Sequence, residues 1–540
     1  MAGTYPWWRH AAVYQVYIRS FKDGNGDGTG DIAGLRSRLG YLRELGVDAI
    51  WINPWYVSPL NDGGYDVADY RQIDPRFGTL EEAEAFIADA TTQGIRVLVD
   101  LVPNHTSSEH PWFQEALAAG PGSPERARYH FLRGKGPDGA EPPNDWQAVF
   151  GGSAWQRVAD GEWYLHLFDV TQPDLNWANP EVREQMNDVI RFWLDRGAAG
   201  FRVDVAHSLA KDPTYPDVGE EPEVLLASTE RTDHPFWDRD ELHEIVREWR
   251  SVLEEYPGTM MVAEAWVADW ERQARYVRPD EFHQSFDFHF LTSPWDVEAM
   301  RTAITKSLAG VGTVGAIPTW VLSNHDVVRH PTRYGLPQEI VAKDWLLDGD
   351  RSLLDEELGL QRARAATLLM LALPGSVYLY QGEELGLGEV HDLPPEVLDD
   401  PVWRRSGHTE KGRDGCRVPL PWEPSGESFG FGSDGSWLPQ PAWFGPLAAS
   451  AQSGVEGSTL ELYRAALHLR REHFVNDEDL EWLDLGERVV AFRRGSGAGC
   501  VVNFGPEEVP LPDGDLLLAS PPLNTPPRPP HPPAGGVFFG

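Results

Sequence analysis

The chain has 540 residues, 41% of them apolar, and a formal net charge of −38 at pH 7. That length can bury a large core, and that charge repels nucleic acid and anionic membrane while favouring solubility. Two cysteines form neither a disulfide framework nor a zinc pattern, the opening residues lack a basic stretch followed by an apolar run, and no apolar segment reaches transmembrane length, so a cytoplasmic enzyme is expected.

The first apolar run, "AVYQVYI" near Val13, reads as a strand. Behind it comes "FKDGNGDGTGDIAGL", with Asp23, Asn25, Asp27, Thr29 and Asp31 on alternate positions. Alternate side-chain oxygens separated by glycines suit a hard divalent cation. Compared with an EF-hand, the bidentate Glu is missing, because Gly34 holds its place. A helix-length segment, "DIAGLRSRLGYLRELG", then leads to a second strand, "VDAIWI". The strands "IRVLVDLV", "GFRVDV", "TMMVAEA", "QSFDFHF", "TWVLSNHD" and "GSVYLYQGEE" follow, most of them separated by helical patterns. Eight strands alternating with helices predict a (β/α)₈ TIM barrel of α/β class.

The third unit is interrupted. Residues 105–177 are rich in Gly, Pro and Trp and read as an inserted subdomain B between the barrel parts 1–104 and 178–474. After "TLELYRAALHLRREHF" the text turns β-like, predicting a C-terminal antiparallel β domain over 475–540. Two stretches read as loops, an acidic one over 343–357 and a Gly/Pro/Trp-rich one over 408–446. The Pro-rich "NTPPRPPHPP" is expected to run extended.

In such a barrel, residues at the C-terminal ends of strands face the site. Here the third strand ends in Asp100, Asn104 and His105, and the fourth carries Arg202, Asp204 and His207. The fifth ends in Glu264, and the seventh in His325 and Asp326. One charged residue after a strand is commonly a solvation or capping device. Four strand ends with carboxylates, three of them beside His or Arg, exceed that explanation. Converging carboxylates suit glycoside hydrolysis. One attacks or activates water, and another, kept protonated, gives its proton to the leaving oxygen. An adjacent Arg keeps the first ionised. The 22 tryptophans serve mainly core packing, with some faces available to sugar rings.

The strings "DLVPNH", "GFRVD", "EAW" and "SNHD", in this order, resemble glycoside hydrolase family 13, the α-amylase superfamily. The resemblance spans nearly the whole chain. It implies a retaining enzyme with Asp204 as nucleophile, Glu264 as general acid/base and Asp326 as the stabilising carboxylate. Arg202 would hold Asp204 ionised, and His105 and His325 would bind sugar hydroxyls. "QPDLNW", Gln172 to Trp177, resembles the α-glucosidase and oligo-1,6-glucosidase branch. In "GGYDVADY", Tyr65 would stack on the terminal glucose and Asp66 would bind its far hydroxyls. In "GRDGCRVPLPW", Arg413 would pair with that Asp, with Arg417 as its rival, and Phe150 in "PPNDWQAVFGGSAW" would line the pocket. The branch also implies a structural cation, calcium or magnesium, in the loop of Asp23, Asn25, Asp27, Thr29 (through its carbonyl) and Asp31.

In some members of the branch this chain resembles, Val after the nucleophile goes with α-1,6 links, so Val205 would lean that way, whereas "AHSL" with His207 departs from the 1,6-specific pattern and looks closer to a maltase type. The expected activity is exo-acting release of glucose from short α-glucosides by a monomer or homodimer. The alternatives are an oligo-1,6-glucosidase or a glucosyl-transferring enzyme of sucrose isomerase or trehalose synthase type. A non-catalytic transporter-subunit ectodomain is disfavoured because all three acids are present.

Overall fold

The computed structural model describes residues 5–219, 233–475, 477–520 and 535–540. Eight parallel strands form one sheet. They are β1 Ala12–Val16, β2 Ala49–Ile52, β3 Arg96–Leu101, β4 Gly200–Val203, β5 Met260–Ala263, β6 Gln284–Ser285, β7 Thr319–Val321 and β8 Ser376–Tyr380. The ladder runs β6-β5-β4-β3-β2-β1-β8-β7, and a parallel bridge between Phe286 and Thr319 brings its edges together into a barrel. Most strands are short apolar runs because both faces are covered: β1, β2, β4, β5, β7 and β8 are buried at every position, and β6 buries the polar pair Gln284–Ser285. Gly200 opens β4 where a Cβ would collide with the Met260 carbonyl, so the close approach of β4 to β5 requires glycine.

Helices wrap the barrel, among them α1 Leu80–Thr92, α2 Pro180–Leu194, α3 Leu242–Glu254, α4 Val297–Gly312, α5 Glu356–Ala372 and α6 Thr459–His473. Helix α3 buries Leu242, Ile245, Val246, Trp249, Val252 and Leu253, the spacing of a one-faced helix. Between β3 and α2 the chain forms an antiparallel sheet of Phe131–Arg133, Glu162–Leu165 and Trp155–Arg157. A short antiparallel pair, Tyr56–Val57 with Asp69–Ile73, frames the loop after β2.

The C-terminal sheet is antiparallel, with β9 Leu480–Trp482, β10 Val489–Arg494, β11 Gly499–Asn503, β12 Leu516–Ala519 and β13 Gly536–Phe539 in the order β9-β10-β11-β13-β12. It packs on the barrel through Trp295 stacked on Phe504 at 4.2 Å and through Arg494, which donates to the Ala372 carbonyl at 2.6 Å.

Two loop expectations need revision or restriction. Ala342–Asp348 is helical, because Trp345 and Leu346 bury against Val328 and Leu336. The Pro-rich segment expected to be extended, 524–533, lies outside the described residues.

Candidate active site

The parallel strands point their C-terminal ends the same way, so the acids and histidines of β3, β4, β5 and β7 share one mouth. Arg202 on β4 is the hub. Its Nη1 donates to Asp204 Oδ1 at 2.7 Å and to Asp100 Oδ1 at 2.9 Å, and its Nη2 donates to Glu264 Oε2 at 2.5 Å. The guanidinium also lies over the Trp51 ring. Three carboxylates around one buried cation are not neutralised by it, so the cluster favours retaining a proton. Burial pushes the Asp204 carboxyl well above its usual range, with Arg202 opposing and the neighbouring acids adding. Burial likewise pushes Asp100 up to about 6, again against Arg202.

Val205 follows Asp204 with φ +42°, a conformation a β-branched residue rarely adopts. The turn aims the Val205 N–H at Glu264 Oε2, 3.1 Å away, and the Ala206 N–H at the Glu264 carbonyl at 2.8 Å. Trp266 Nε1 donates to the other carboxyl oxygen, Oε1, at 3.3 Å. Glu264 is thereby held in place from three sides.

Asp326 meets the opposite environment. Oδ1 accepts from Arg413 Nη1 at 3.1 Å and Arg417 Nη2 at 3.0 Å, and His325 Nε2 lies 3.2 Å from Oδ2. Although burial pushes its carboxyl up, His325 and the two arginines outweigh that and hold it below the usual range. Gln15 Nε2 lies 2.7 Å from His325 Nδ1 and also donates to Asn53. With an amide N–H on Nδ1, the ring proton sits on Nε2 and faces Asp326.

Tyr65 lies parallel to His325, with ring centroids 5.2 Å apart, and its hydroxyl donates to Asp100 Oδ2 at 2.9 Å. His105 is buried and neutral, its value pushed down to about 4 by desolvation. Its Nδ1 faces the Asn104 amide and its Nε2 the Tyr65 carbonyl, so a sugar hydroxyl would share these groups rather than find them free. Phe150 lies under the Arg413 guanidinium at 5.2 Å.

Asp66 does not have the expected place. It is fully buried, and its carboxylate accepts from Ser58 Oγ, the Asn61 N–H and the Asp62 N–H. It builds the turn. Asp62 instead meets Arg413 Nη2 at 2.6 Å and Gln172 Nε2 at 3.0 Å. The Asp–Arg pair therefore exists, with Arg413 as the arginine and Asp62, not Asp66, as the acid. Arg417 serves Asp326. Asp400 is a further partner of Arg413, at 2.6 Å from Nε. Asp62 was detectable in sequence as an acid directly before "GGYDVADY", three residues before Tyr65. Asp400 had no signal, because it stands in an irregular Asp/Pro-rich segment.

In the 23–31 loop, the donor chemistry suits a hard cation, but the placement is not that of a cage. Asp23 accepts from the N–H groups of Asn25, Gly26 and Gly28, and Asp31 from those of Gly24, Asn25 and Gly34. Asp27 accepts from the Thr29 N–H and the Asn25 amide. Among the described residues, no group of three or more His, Cys, Asp or Glu side chains is placed to hold an ion.

The alpha-amylase catalytic domain family matches residues 15–478 of the chain. A probable alpha-glucosidase of Rhizobium meliloti (strain 1021) is 38% identical over 523 residues, covering 93% of this chain and 90% of that protein. An oligo-1,6-glucosidase of Parageobacillus thermoglucosidasius is 34% identical, covering 86% and 84%. The crystal structure of the alpha-glucosyl transfer enzyme XgtA superposes with a TM-score of 0.84 at 34% identity, covering 99% of this chain and 100% of that one. With its barrel, its clustered acids and these matches along nearly its whole length, the chain belongs to the α-amylase family of glycoside hydrolases, family 13.

Proposed function

We propose that this protein is an exo-acting, retaining α-glucosidase that releases glucose from the non-reducing ends of short α-glucosides. The observation that carries this reading is the meeting of Asp204, Glu264 and Asp326 at one barrel mouth, beside the Asp62–Arg413 pair. Asp204 attacks the anomeric carbon, and the bond to the leaving oxygen breaks as Glu264 gives that oxygen its proton. Glu264 then takes a proton from water, which attacks the same carbon and frees Asp204. Asp326, held ionised, faces the positive charge that develops on the sugar. The Asp62–Arg413 pair takes the far hydroxyls and blocks passage of a longer chain, which favours exo action.

Replacing Asp204 with Asn should remove nearly all turnover and leave the circular dichroism spectrum intact. Near-normal activity in that variant would overturn the assignment. Initial rates on maltose and isomaltose decide the linkage. Faster maltose cleavage fits the maltase-type reading, and faster isomaltose cleavage an oligo-1,6-glucosidase. The second reading, transfer of glucose to another sugar, is supported by the likeness to the alpha-glucosyl transfer enzyme XgtA, and chromatography of products from sucrose or concentrated maltose tests it.

A divalent cation in the 23–31 loop, calcium or magnesium, is part of the proposal on its donor set alone. It would be structural. Adding calcium to chelator-treated protein should raise the melting temperature, and no change would remove the ion from the account. A cytoplasmic monomer or homodimer completes the reading. The net charge favours solubility, and among the described residues no helix is long and apolar enough to cross a membrane.

A further inference from the structure

Next to His105 lies a buried polar network that the reaction above does not use. Lys211 is at its centre, with a side chain only 1% exposed. Its Nζ meets Asp174 Oδ2 at 2.9 Å, Asn104 Oδ1 at 2.8 Å and the Ser208 carbonyl. Burial pushes the ammonium below its usual value, and Asp174 opposes that. Three acceptors around Nζ match the three hydrogens of an ammonium. Asp174 is fully engaged as well: Oδ2 also accepts from Asn104 Nδ2 at 3.0 Å, and Oδ1 accepts from the Leu167 N–H at 2.8 Å.

The two ends of an amide are alike in size, and their bonding tells them apart. At Asn104 the bonding leaves one orientation. An ammonium has no lone pair, so the atom that meets Lys211 is the amide oxygen, and the Ser208 hydroxyl reaches the same oxygen at 2.8 Å. The amide nitrogen then has two hydrogens for two acceptors, Asp174 Oδ2 and His105 Nδ1, the latter 3.1 Å away. His105 is neutral, pushed down to about 4 by burial, and so has one ring proton. An N–H aimed at Nδ1 needs a lone pair there, which leaves the proton on Nε2. Nε2 faces an acceptor, the Tyr65 carbonyl, at 3.0 Å. Gln172 Nε2 lies 3.1 Å from the same ring nitrogen, but its hydrogens go to Asp62 Oδ2 and the Tyr65 carbonyl, because its oxygen is held by the Asp169 N–H.

We propose that Lys211 is a positioning residue for substrate binding: through the Asn104 amide it fixes the ring proton of His105 on Nε2, so that His105 meets a sugar hydroxyl as a hydrogen-bond donor. The proposal rests on the α-glucosidase reading for the identity of the sugar. Without Lys211, Asp174 loses its cation and, being buried, takes up a proton. A protonated Asp174 can donate to the amide oxygen. The Asn104 amide then has two workable orientations, and the His105 proton follows it from one nitrogen to the other.

The test reads the proton directly. In protein labelled with 15N-histidine, long-range 1H–15N correlations separate a protonated ring nitrogen from an unprotonated one, and His105→Gln identifies the His105 signals. Wild type without substrate should show the His105 proton on Nε2. Lys211→Met should show the Nδ1–H form beside it, and its kcat/KM on the better of maltose and isomaltose should fall about tenfold, the scale of one hydrogen bond, mainly through KM. Lys211→Met combined with His105→Gln should lose no more than His105→Gln alone, because both act through one ring. A proton on Nδ1 in wild type overturns the proposal, whether or not any variant folds. So does a His105 signal that Lys211→Met leaves unchanged, even with a lower melting temperature, since Lys211 would then serve stability alone. Losses that add in the double variant overturn it too. The spectra need no substrate. A wild type with the proton on Nε2 that releases glucose from no α-glucoside therefore overturns the α-glucosidase reading and leaves Lys211 as the residue that places the proton.

Discussion

Asp62 and Asp66 stand four positions apart in one turn and do different work. Asp62 shares Arg413 with Asp326 and Asp400, whereas Asp66 ties down the backbone that presents it. Asp62→Ala should reduce kcat/KM by about a hundredfold, roughly 3 kcal/mol, because it removes one partner of a buried charge pair at the substrate. Asp66→Asn should leave kcat/KM within a fewfold and act on stability. Burial raises Asp66 from 3.8 to about 6. A raised folded value means its contribution to stability is complete below about 4 and is lost as the pH rises through about 6. Wild type should therefore lose stability relative to Asp66→Asn between these values, measured by urea midpoints across the range. Activity carries a related sign. Asp204 must be ionised to attack, and burial raises it. The acid limb of kcat/KM should therefore lie above the ordinary carboxylate range, and a limb near pH 4 would contradict this placement.

At the scale of elements, periodicity and run length located all eight barrel strands, because most are short apolar runs bounded by helices, and the polar pair Gln284–Ser285 of β6 stands in the partly apolar run "QSFDFHF". The clustering of Asp204, Glu264 and Asp326 was legible for a related reason: they follow those strands, where the sequence text changes character. What was not legible depended on contacts made within irregular segments. The donors to Asp66 come from Ser58 and a turn, the helix at Ala342 from burial of Trp345, and the role of Asp400 from Arg413. None of these leaves a local pattern. The positive φ of Val205 is invisible too, since Val is a strand former and nothing in its spacing announces a left-handed turn. Caps, by contrast, are local. Thr79 and Glu82 form a reciprocal capping box at the start of α1. Thr79→Ala should lower stability by about 1 kcal/mol with kcat/KM unaltered, as read from a urea unfolding curve and a rate assay on the same preparation.

Across the whole molecule, the C-terminal sheet is fastened to the barrel by a buried arginine as well as by apolar contact. Arg494 is 2% exposed and donates to the carbonyls of Ala372, Asp479 and Asp477. Arg494→Ala should strand these acceptors at a loss of about 2–4 kcal/mol, lowering the melting temperature by several degrees while KM stays constant. The other large appendage is attached in a different way. The ends of the segment between β3 and α2 are stapled together: His105 bridges Asp174, the Leu175 N–H meets the Asn104 carbonyl at 2.9 Å, and the Thr106 N–H meets the Pro173 carbonyl at 3.2 Å. To the barrel, this long excursion has the footprint of a short turn. It is a cassette. Its contents can be exchanged by recombination without shifting the register of any barrel strand, while Phe150 and Gln172, which it carries to Arg413 and Asp62, travel with it. New pocket walls can thus be tried on an unchanged reaction centre.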